Sequence, residues 1–521
     1  MPTRNVTPSG TGTAAVAAAT VPSTPTATPT TTPPAPSPDL TSTPTPIAQI
    51  SGEPLTVGLV GSLDSLNPLA DLNPTLGVIG PLLFQSLNQL DPATAAPMPD
   101  AADLPQIAED GLTLTYTLPP DGLGVDAVRA SVEAAIWPEL DDIRVASVTQ
   151  NTISVSLAQP DCALVDQLAQ LPVLTPDTAA VEQPAGGGPF VVEQWDAEAA
   201  ILYLAVNDGL AARPHLETIV IQLFENEATA WNALLNGDLD LLSLRHLPDA
   251  LPSGYKSVAY PAPLMTFISF NHQDQVMANA PVRQALALAL DRMAILEHLY
   301  GDGGALARGP LHVQHWAADP SLPTPMYDLD QANTLLDEAG LIDIDGDGWR
   351  DLADGAPWTL GLRSFDGDEA QAIITFLVSD AYRRLGIRAR PEPVALPTLL
   401  DDLLTRDYQA AVYSLPLFPA LDLRPYWHSE AVEAEFGLNL PGYANPQLDI
   451  WLDEANRLPG CDGNSRADLY AQIQQLLVEE QAVDFLFSPS YFLVAREGLQ
   501  GLKPGPFAPF TWNVAEWYWL P

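Results

Sequence analysis

The sequence predicts an α/β protein with two lobes and a cleft between them, preceded by a disordered N-terminal stalk. Three observations predict this fold class. Buried-strand patterns alternate with amphipathic helices from about Leu55 onward, this alternation occurs in two separate regions, and the first fifty residues carry almost nothing that a core could bury. A chain of 521 residues with 47% hydrophobic residues can also build two or three domains.

Residues 1–50 form the predicted stalk. From Thr20 to Pro46 the chain is almost entirely Thr, Pro, Ser and Ala, and Asp39 is the only ionisable side chain between Arg4 and Glu53. Such a segment cannot offset its ordering entropy, so we predict a disordered, extended linker. A linker of this composition suits a protein that is held off a surface.

The first α/β region begins with a strand at Thr218–Phe224 (TIVIQLF). Asn226 then caps a helix that runs to Leu235, and Asp238–Leu244 (DLDLLSL) reads as a second strand. A strand, a helix and a strand within about thirty residues predict a βαβ unit with a parallel pair.

The second region repeats the alternation, which predicts a doubly wound α/β lobe. Its predicted elements are a strand at Trp358–Ser364, a helix at Asp368–Leu385, a strand at Ile387–Val394, a helix at Pro397–Leu404 and a strand at Gln409–Leu417. Further helices are predicted at Val282–Tyr300 after Pro281, from Asp328 to about Gly340, and at Arg466–Gln481.

The charge balance excludes two classes of function. The chain has 65 acidic and 21 basic residues, a formal net charge of −44, so it lacks the basic surface that nucleic acid or an anionic membrane would need. No apolar run approaches the roughly 18 residues of a transmembrane helix.

The two cysteines, Cys162 and Cys461, leave two alternatives open. They lie about 300 positions apart, so a single long-range bridge is possible in an oxidising compartment, whereas the favoured alternative is two unrelated loop thiols.

Catalytic motifs are missing from the sequence. There is no nucleophile elbow and no phosphate-binding loop, and Gly186–Gly188 before Pro189 indicates a turn or a close backbone approach. His312 and His315 lie in a loop pattern that favours an ordinary surface turn over a zinc pair.

One acidic stretch, residues 343–354, matches a calcium loop. Carboxylates stand at positions 1, 3, 5, 9 and 12, glycine stands at position 6, and the residue at position 7 would offer its carbonyl. The proposed ligands are Asp343, Asp345, Asp347, Trp349, Asp351 and Asp354. Aspartate replaces the usual glutamate at position 12, so we expect weak binding in a structural role, with a solvated acidic turn as the alternative. No cofactor is required by any other motif.

Several ordered motifs resemble one family, the extracellular solute-binding proteins of ABC importers in family 5, which take oligopeptides, dipeptides or nickel. The segments that carry the resemblance are Gly188–Phe190 with Trp195 and Asn207, Leu234–Asp240, Phe270–Asn271, Pro281–Leu286, Ala289–Arg292, Tyr327–Gly340, Gly442–Pro446, Leu448–Asp449 and Arg466–Tyr470. The segment at 281–292, which resembles "vRqAla.AiDR", is the most specific.

The resemblance implies a periplasmic-binding-protein-like fold of type II with an extra subdomain and hinge strands between the lobes. It places the first lobe at 51–75, 180–262 and 488–521, an accessory subdomain at 76–179, and the second lobe at 263–487. The crossing strands would lie around Phe267–Asn271 and Phe485–Ala495. The segment from Thr113 to Val128 lacks much of the family's usual extension, so we expect a shortened subdomain.

The resemblance also implies a ligand site. Asp422 best matches the aspartate that pairs with a peptide's α-amino group, although capping of a turn before Pro425 is an equal alternative. Tyr426 and Trp427 lie close to it in sequence, and Asn271 completes the implied ligand-binding set.

The leading hypothesis is a non-enzymatic binder that captures a small solute, most simply a peptide, and delivers it to an ABC permease. We expect a monomer in the periplasm or at the cell surface, tethered to the outer face of the membrane through its stalk. A secreted carbohydrate-active hydrolase, or a sensor or chaperone without a permease, are the alternatives.

Overall fold

The computed structural model describes residues 53–520 apart from 72, 121, 137–142, 180, 211, 249, 325, 418–419 and 435–436, with residue 302 described by its backbone alone. The predicted stalk at 1–50 lies outside the described residues.

The helices and strands follow one another as three groups. The first comprises β1 (Leu55–Val60), α1 (Pro74–Leu83), β2 (Gln85–Ser86), β3 (Asn88–Leu90), β4 (Pro97–Pro99), β5 (Gln106–Ile107), β6 (Thr113–Thr117), α2 (Val125–Ala134), β7 (Arg144–Ser147), β8 (Thr152–Ser156), α3 (Cys162–Ala169) and β9 (Pro172–Val173). The second comprises β10 (Phe190–Asp196), β11 (Ile201–Val206), β12 (Thr218–Phe224), α4 (Glu227–Asn236), β13 (Leu241–Leu244) and β14 (Tyr255–Pro261). The third comprises β15 (Leu264–Phe270), α5 (Ala280–Leu288), α6 (Arg292–Tyr300), β16 (Ala305–Leu306), α7 (Leu329–Glu338), β17 (Thr359–Phe365), α8 (Glu369–Arg384), β18 (Arg388–Val394), α9 (Leu396–Thr405), β19 (Ala410–Pro416), α10 (Arg424–Trp427), α11 (Pro446–Asn456), α12 (Gly463–Glu479), β20 (Val483–Ser488), β21 (Ser490–Arg496), β22 (Leu499–Gln500) and β23 (Tyr518–Trp519).

A seven-stranded sheet in the order β10-β11-β12-β1-β13-β21-β14 forms the centre of the body that we call lobe I. The predicted βαβ unit is present as β12, α4 and β13, but its two strands are not neighbours. Strand β1 lies between them and is parallel to both. The local pattern predicts the direction of the two strands correctly. The insertion of β1, from about 160 residues upstream, depends on packing between distant parts of the chain.

A six-stranded sheet in the order β16-β20-β15-β19-β17-β18 forms the centre of the second body, lobe II. Strand β17 is parallel to β18 and to β19, as the doubly wound pattern predicts. Helices cover both faces of this sheet, because separate hydrophobic cores lie on either side of it, one around Ile268 and Val378 and one around Phe267 and Ile473.

Two strand crossings connect the lobes. The chain leaves lobe I at the end of β14 and enters lobe II at β15, and it returns from β20 to β21. The backbone N–H of Ala262 in the first crossing donates to the carbonyl of Pro489 in the second at 2.7 Å. These adjacent crossings form a hinge. The second lies within the predicted segment Phe485–Ala495, but the predicted position of the first is wrong, because Phe267–Phe270 belong to β15 of the lobe II sheet and the crossing comes before them.

The prediction of a single helix at Val282–Tyr300 is wrong, since the chain forms two helices, α5 and α6, with a break at residues 289–291. The break has a local cause. Asp291 accepts a hydrogen bond from the backbone N–H of Ala294 at 3.1 Å and thereby caps the start of α6. Both helices pack into the same core, so an apolar pattern continues across the break.

Residues 85–173 form a smaller unit with a four-stranded sheet in the order β5-β6-β8-β7 and the helices α2 and α3. Its core is continuous with that of lobe I. Leu114 and Val155 of the small sheet belong to the same buried cluster as Val57 and Ile219 of the large sheet. This accessory unit is therefore packed as one body with lobe I.

Helix α3 of the accessory unit is also linked to lobe II. Cys162 forms a disulfide bond with Cys461, with the two Cα atoms 5.4 Å apart, so the expectation of unrelated thiols is wrong. Beside the disulfide, Asp166 forms an ion pair with Arg466 at 3.0 Å, and both side chains are only 4% exposed. The three-dimensional fold brings together residues that the sequence separates by 299 positions.

Within the part of the chain that the structure describes, no helix combines the length and the apolar character needed to cross a membrane.

Candidate functional site

Two cavities that share Phe507 as a lining residue form the candidate site. The larger, of about 850 Å³, lies against α1 of lobe I, and the smaller, of about 70 Å³, lies against β15 and β19 of lobe II. Strand β19 ends at the smaller cavity, which Pro416 and Leu417 line, and the crevice beyond the carboxyl ends of parallel strands is where open α/β sheets bind ligands.

Helix α1 and the loop before it form one wall of the larger cavity. Asn73 caps the helix by accepting a hydrogen bond from the N–H of Thr75 at 2.9 Å, and Pro74 occupies its first turn. Gly77 and Gly80 line the cavity, and a Cβ atom on either would meet no atom within 4 Å. The absence of side chains at these two positions therefore keeps the cavity wide.

The predicted glycine turn forms part of the opposite wall. The N–H of Gly188 donates to the carbonyl of Leu83 at 3.0 Å, at the end of α1. A Cβ atom on Gly188 would lie 2.2 Å from the carbonyl carbon of Leu83, which no side chain could tolerate. The interpretation as a close backbone approach is confirmed, and the neighbouring Gly187 lines the cavity.

The charged groups that line the larger cavity are all acidic: Asp71, Asp100 and Glu516. Glu516 is already paired, because it accepts hydrogen bonds from Lys503 at 2.6 Å and from Asn513 at 3.0 Å, and these contacts lower its pKa. Asp100 accepts from the N–H of Ser86 at 2.7 Å and from Gln85 Nε2 at 3.3 Å. Burial nevertheless raises the pKa of Asp100 to about 6.

The smaller cavity is mostly apolar and contains one buried donor without an acceptor. His312 Nδ1 accepts a hydrogen bond from the N–H of Gln314 at 3.2 Å, which places the proton of the neutral ring on Nε2. Burial lowers the pKa of His312 to about 4, so the ring is neutral at physiological pH. Among the described residues, the buried Nε2 atom has no hydrogen-bond partner.

The expectation of a surface turn at His312 and His315 is wrong, since their side chains are 2% and 5% exposed. Both rings pack edge-on against Phe507, with ring centroids 5.5 and 5.4 Å from it. No local pattern predicts this packing, because Phe507 follows nearly 200 residues later in the chain.

Three of the four residues in the implied ligand-binding set lie together along the smaller cavity: Asp422, Tyr426 and Trp427. The Asp422 carboxylate is already engaged, because Arg424 contacts it through Nε at 3.0 Å and Nη2 at 2.8 Å. It also accepts from the N–H of Arg424 and from Asn456 Nδ2. The pKa of the Tyr426 hydroxyl is raised by burial and by the nearby Asp422.

Asn271 lies outside both cavities. It follows the end of β15 that is remote from the hinge, and its Nδ2 donates to the carbonyls of Arg406 at 2.8 Å and Tyr408 at 2.9 Å. Its Oδ1 accepts from the N–H of Gln273. The amide is used to fix the loop at this end of lobe II, so the structure does not bring Asn271 to the other three residues.

The predicted calcium loop brings three of its carboxylates together. Oxygen atoms of Asp343, Asp345 and Asp351 lie within 4.8 Å of one another. Asp343 also accepts from the N–H groups of Gly346 and Gly348, which closes the loop around it.

The other predicted ligands of this loop have separate partners. Asp347 forms an ion pair with Arg388, and Asp354 accepts from the N–H of Ala356 at 3.0 Å in the following turn. The N–H of Trp349 donates to Asp347 at 3.0 Å. Three oxygen ligands fit a hard cation in part, and calcium binding stays a prediction.

Comparison with known proteins shows similarity along most of the chain. A family model described as "Bacterial extracellular solute-binding proteins, family 5 Middle" matches residues 96–427. The oligopeptide-binding protein AppA of Bacillus subtilis is 26% identical over 348 residues, which span 65% of this chain and 62% of that relative. The probable D,D-dipeptide-binding periplasmic protein DdpA of Escherichia coli is 21% identical over 91% of this chain and 96% of its own length.

Solved structures share the fold. The structure of AppA from Bacillus subtilis in complex with a nonapeptide covers 90% of this chain and 99% of its own, with a TM-score of 0.67 and 23% identity. NikZ from Campylobacter jejuni in complex with Ni(L-His) covers 89% of this chain and 99% of its own, with a TM-score of 0.71 and 22% identity. Both similarities confirm the α/β fold class of these binding-protein structures.

Proposed function

Because the chain belongs to family 5 of the bacterial extracellular solute-binding proteins, we propose that it captures a peptide between its lobes and delivers it to the permease of an ABC importer. The curated relatives are binding proteins and not enzymes. The observation that carries the proposal is the pair of cavities that share Phe507, because the larger is lined by residues of the lobe I body and the smaller, apart from Phe507, by residues of lobe II.

The chemistry of the cavities supports a short peptide as the ligand. A volume of about 850 Å³ lies within the range of small-ligand sites, roughly 300–1,000 Å³. Phe84 and Trp512 offer apolar surface for side chains, while Gln85 and Gln89 offer amide groups to a peptide backbone. The unpaired Nε2–H of His312 could donate to a peptide carbonyl.

Asp422, Tyr426 and Trp427 contribute the lobe II side of the proposed site. For Asp422 to bind an α-amino group, it must release Arg424, which now neutralises it. Tyr426 and Trp427 supply aromatic surface whether or not that exchange occurs.

Extracytoplasmic location fits the family, and we propose that residues 1–50 tether a monomer to the outer face of the membrane. The support is compositional, because a Thr- and Pro-rich segment of this length keeps a folded body away from its anchor.

A thermal-shift screen against pools of di- to pentapeptides and oligosaccharides tests the function. A ligand at about 100 times its dissociation constant stabilises the folded state by roughly 2.7 kcal/mol, so a peptide hit is readable. We expect Phe507→Ala to lose the shift. Phe376→Ala is the matched control, since Phe376 is 58% exposed on α8.

The alternatives predict other results in the same screen. Stabilisation by oligosaccharides alone would contradict the peptide assignment. Cleavage of a bound pool member, detected by mass spectrometry, would favour the alternative of a secreted hydrolase. Binding of unfolded polypeptides without selection among short peptides would favour a chaperone.

A further inference from the structure

We propose that Asp166, in helix α3 of the lobe I body, is a positioning residue for ligand binding, because it holds the lobe II segment that lines the smaller cavity. We call residues 420–427 the site segment, and all of them except Arg424 and Pro425 line that cavity. The inference rests on the proposed function and assigns a residue outside both cavities to the same site.

Leu421 is the residue of the site segment that Asp166 contacts. The Oδ2 atom of Asp166 accepts a hydrogen bond from the backbone N–H of Leu421 at 3.1 Å. The carbonyl of Leu421 accepts from the Tyr470 hydroxyl at 3.0 Å and from Arg466 Nη2 at 3.2 Å. Both backbone groups of this residue are therefore fixed, the N–H from the lobe I body and the carbonyl from α12 of lobe II. Its side chain is 1% exposed and lines the cavity.

The contact between Asp166 and the site segment is buried and charge-assisted. The same Oδ2 atom accepts from Arg466 Nη2 at 3.0 Å, and the side chains of both residues are only 4% exposed. A charged acceptor strengthens a hydrogen bond, and burial keeps water from replacing it. Without this oxygen, the buried N–H of Leu421 would lose its acceptor, which destabilises more than the bond itself stabilises.

The first residues of α3 contact the site segment a second time. Asp161 caps the helix by accepting from the N–H groups of Ala163 and Leu164, and its other carboxylate oxygen lies 3.4 Å from Nη2 of Arg424. The disulfide bond of Cys162 attaches this end of the helix to lobe II. One helix of the lobe I body therefore holds the site segment at both Leu421 and Arg424.

These contacts connect the ligand site to a helix that does not touch the ligand. A segment that is free to shift must be ordered when a ligand binds, and the entropy lost in that ordering lowers the affinity. Asp166 reduces this loss by fixing the backbone of the site segment in advance. In this it differs from Trp427, whose side chain lines the cavity itself.

Hydrogen exchange of the full chain, measured by mass spectrometry, tests whether Asp166 holds the site segment. We expect Asp166→Ala to raise the exchange rate of residues 420–427 about tenfold, because the N–H of Leu421 loses its acceptor. Asp166→Asn should keep the rate within about threefold of the native one, since its amide oxygen can accept from the same N–H. Both variants lose the ion pair with Arg466, so both should melt at a lower temperature.

Binding of pooled di- to pentapeptides, measured by titration calorimetry at pH 7.5, tests the effect on the ligand. We expect Asp166→Ala to raise the apparent dissociation constant about tenfold, and Asp166→Asn about threefold or less. Recovery in Asp166→Asn separates positioning from a general loss of stability, because the two variants share the loss of the ion pair. A double variant, Asp166→Ala with Arg466→Met, leaves no unpaired buried charge and serves if the single variant does not fold.

The matched control is Asp468→Ala, because Asp468 is an exposed residue of α12 two positions after Arg466. It should change neither the exchange rate of the site segment nor the affinity.

Two results would overturn the inference and leave the proposed function standing. One is an exchange rate of the site segment in Asp166→Ala equal to the native rate. The other is equally weakened binding in Asp166→Ala and Asp166→Asn, which would assign the effect to the ion pair with Arg466. Failure of the pools to bind the native chain would instead overturn the peptide-binding function, and the exchange rates would still decide whether Asp166 holds the site segment.

Discussion

Asp422 lies in a short loop where its carboxylate has several local donors. The N–H of Arg424 donates to it at 2.9 Å, as in an Asx turn, and the guanidinium of the same residue contacts both carboxylate oxygens. Of the two alternatives that the sequence leaves open, the turn geometry is present. Whether the residue also binds a ligand stays a prediction.

Replacement of Asp422 by asparagine should lower stability more than it lowers affinity. The Arg424 side chain is only 26% exposed and would keep the single, longer contact to Asp161 at 3.4 Å. We expect a loss of about 1–2 kcal/mol in the free energy of unfolding, measured by urea denaturation. Asp380→Asn, which removes an exposed helix pair with Arg384, is the control and should change little. Loss of peptide binding at unchanged stability would contradict this expectation.

Protonation of Asp100 should make ligand binding depend on pH. Burial raises the pKa of Asp100 to about 6, so this carboxylate at the wall of the larger cavity gains its charge between pH 5 and pH 7, and affinity for a peptide with a free α-amino group should rise over that range. Burial holds the pKa of Asp100 in the folded protein above its ordinary value of 3.8, so the protonated carboxyl stabilises the ligand-free protein at low pH, and this stabilisation is lost as the pH rises through about 6. Glu516 and Asp71 line the same cavity and could also change the affinity with pH. The variant Asp100→Asn separates their contribution to the pH dependence from that of Asp100. The same dependence of affinity on pH in that variant would show that Asp100 is not the titrating group.

At the scale of elements, the acidic loop between α7 and β17 combines a partial set of oxygen ligands with a competing arginine. Its three clustered carboxylates repel one another, while Arg388 neutralises only Asp347. A bound cation would relieve this repulsion.

Calcium at about 1 mM, in the range of weak extracellular sites, should raise the melting temperature of the full chain. We expect Asp343→Asn to remove the effect, because Asp343 belongs to the cluster. The matched control is Asp354→Asn, whose carboxylate instead accepts from Ala356 in the next turn. An equal loss in both variants, or no shift in the native chain, would rule out the site.

At the scale of the whole molecule, the lobes are connected on two sides. The hinge crossings lie at residues 262 and 489, and the disulfide between α3 and the turn before α12 lies far from them in sequence. Since α3 shares its core with β1, the disulfide joins the lobe I body to lobe II. Arg466 and Asp166 add a buried ion pair at the same contact. Opening of the cleft is therefore restrained by a covalent bond.

The double variant Cys162→Ser/Cys461→Ser should open more widely and be less stable. We expect a larger radius of gyration in ligand-free solution scattering and a loss of about 4 kcal/mol in the free energy of unfolding, since the bond closes a very long loop. Dithiothreitol should produce the same expansion in the native chain and none in the variant. An unchanged radius of gyration, both in the variant and in the native chain after dithiothreitol, would show that the ion pair and the packing alone hold the lobes together.

Local structure and family membership can both be predicted from the order of the residues alone. Caps at Asp328 and Asp368, the strand pattern at 218–224 and the glycines at 186–188 depend on neighbours within a few residues, so the chain around each one encodes its conformation. The helix break at Asp291 also has a local cause, but it was not predicted, because this capping residue lies inside a continuous apolar pattern. Ordered motifs over most of the chain identified the family.

Contacts between distant side chains cannot be predicted in this way, because they depend on how the whole chain packs. Insertion of β1 between β12 and β13, the Cys162–Cys461 bond and the meeting of His312 with Phe507 join segments that are far apart along the chain. Asp100 belongs to no motif, and its place in the cavity follows from strand pairing and burial. Such contacts depend on the summed packing of both lobes, whereas propensity and periodicity act only over neighbouring residues.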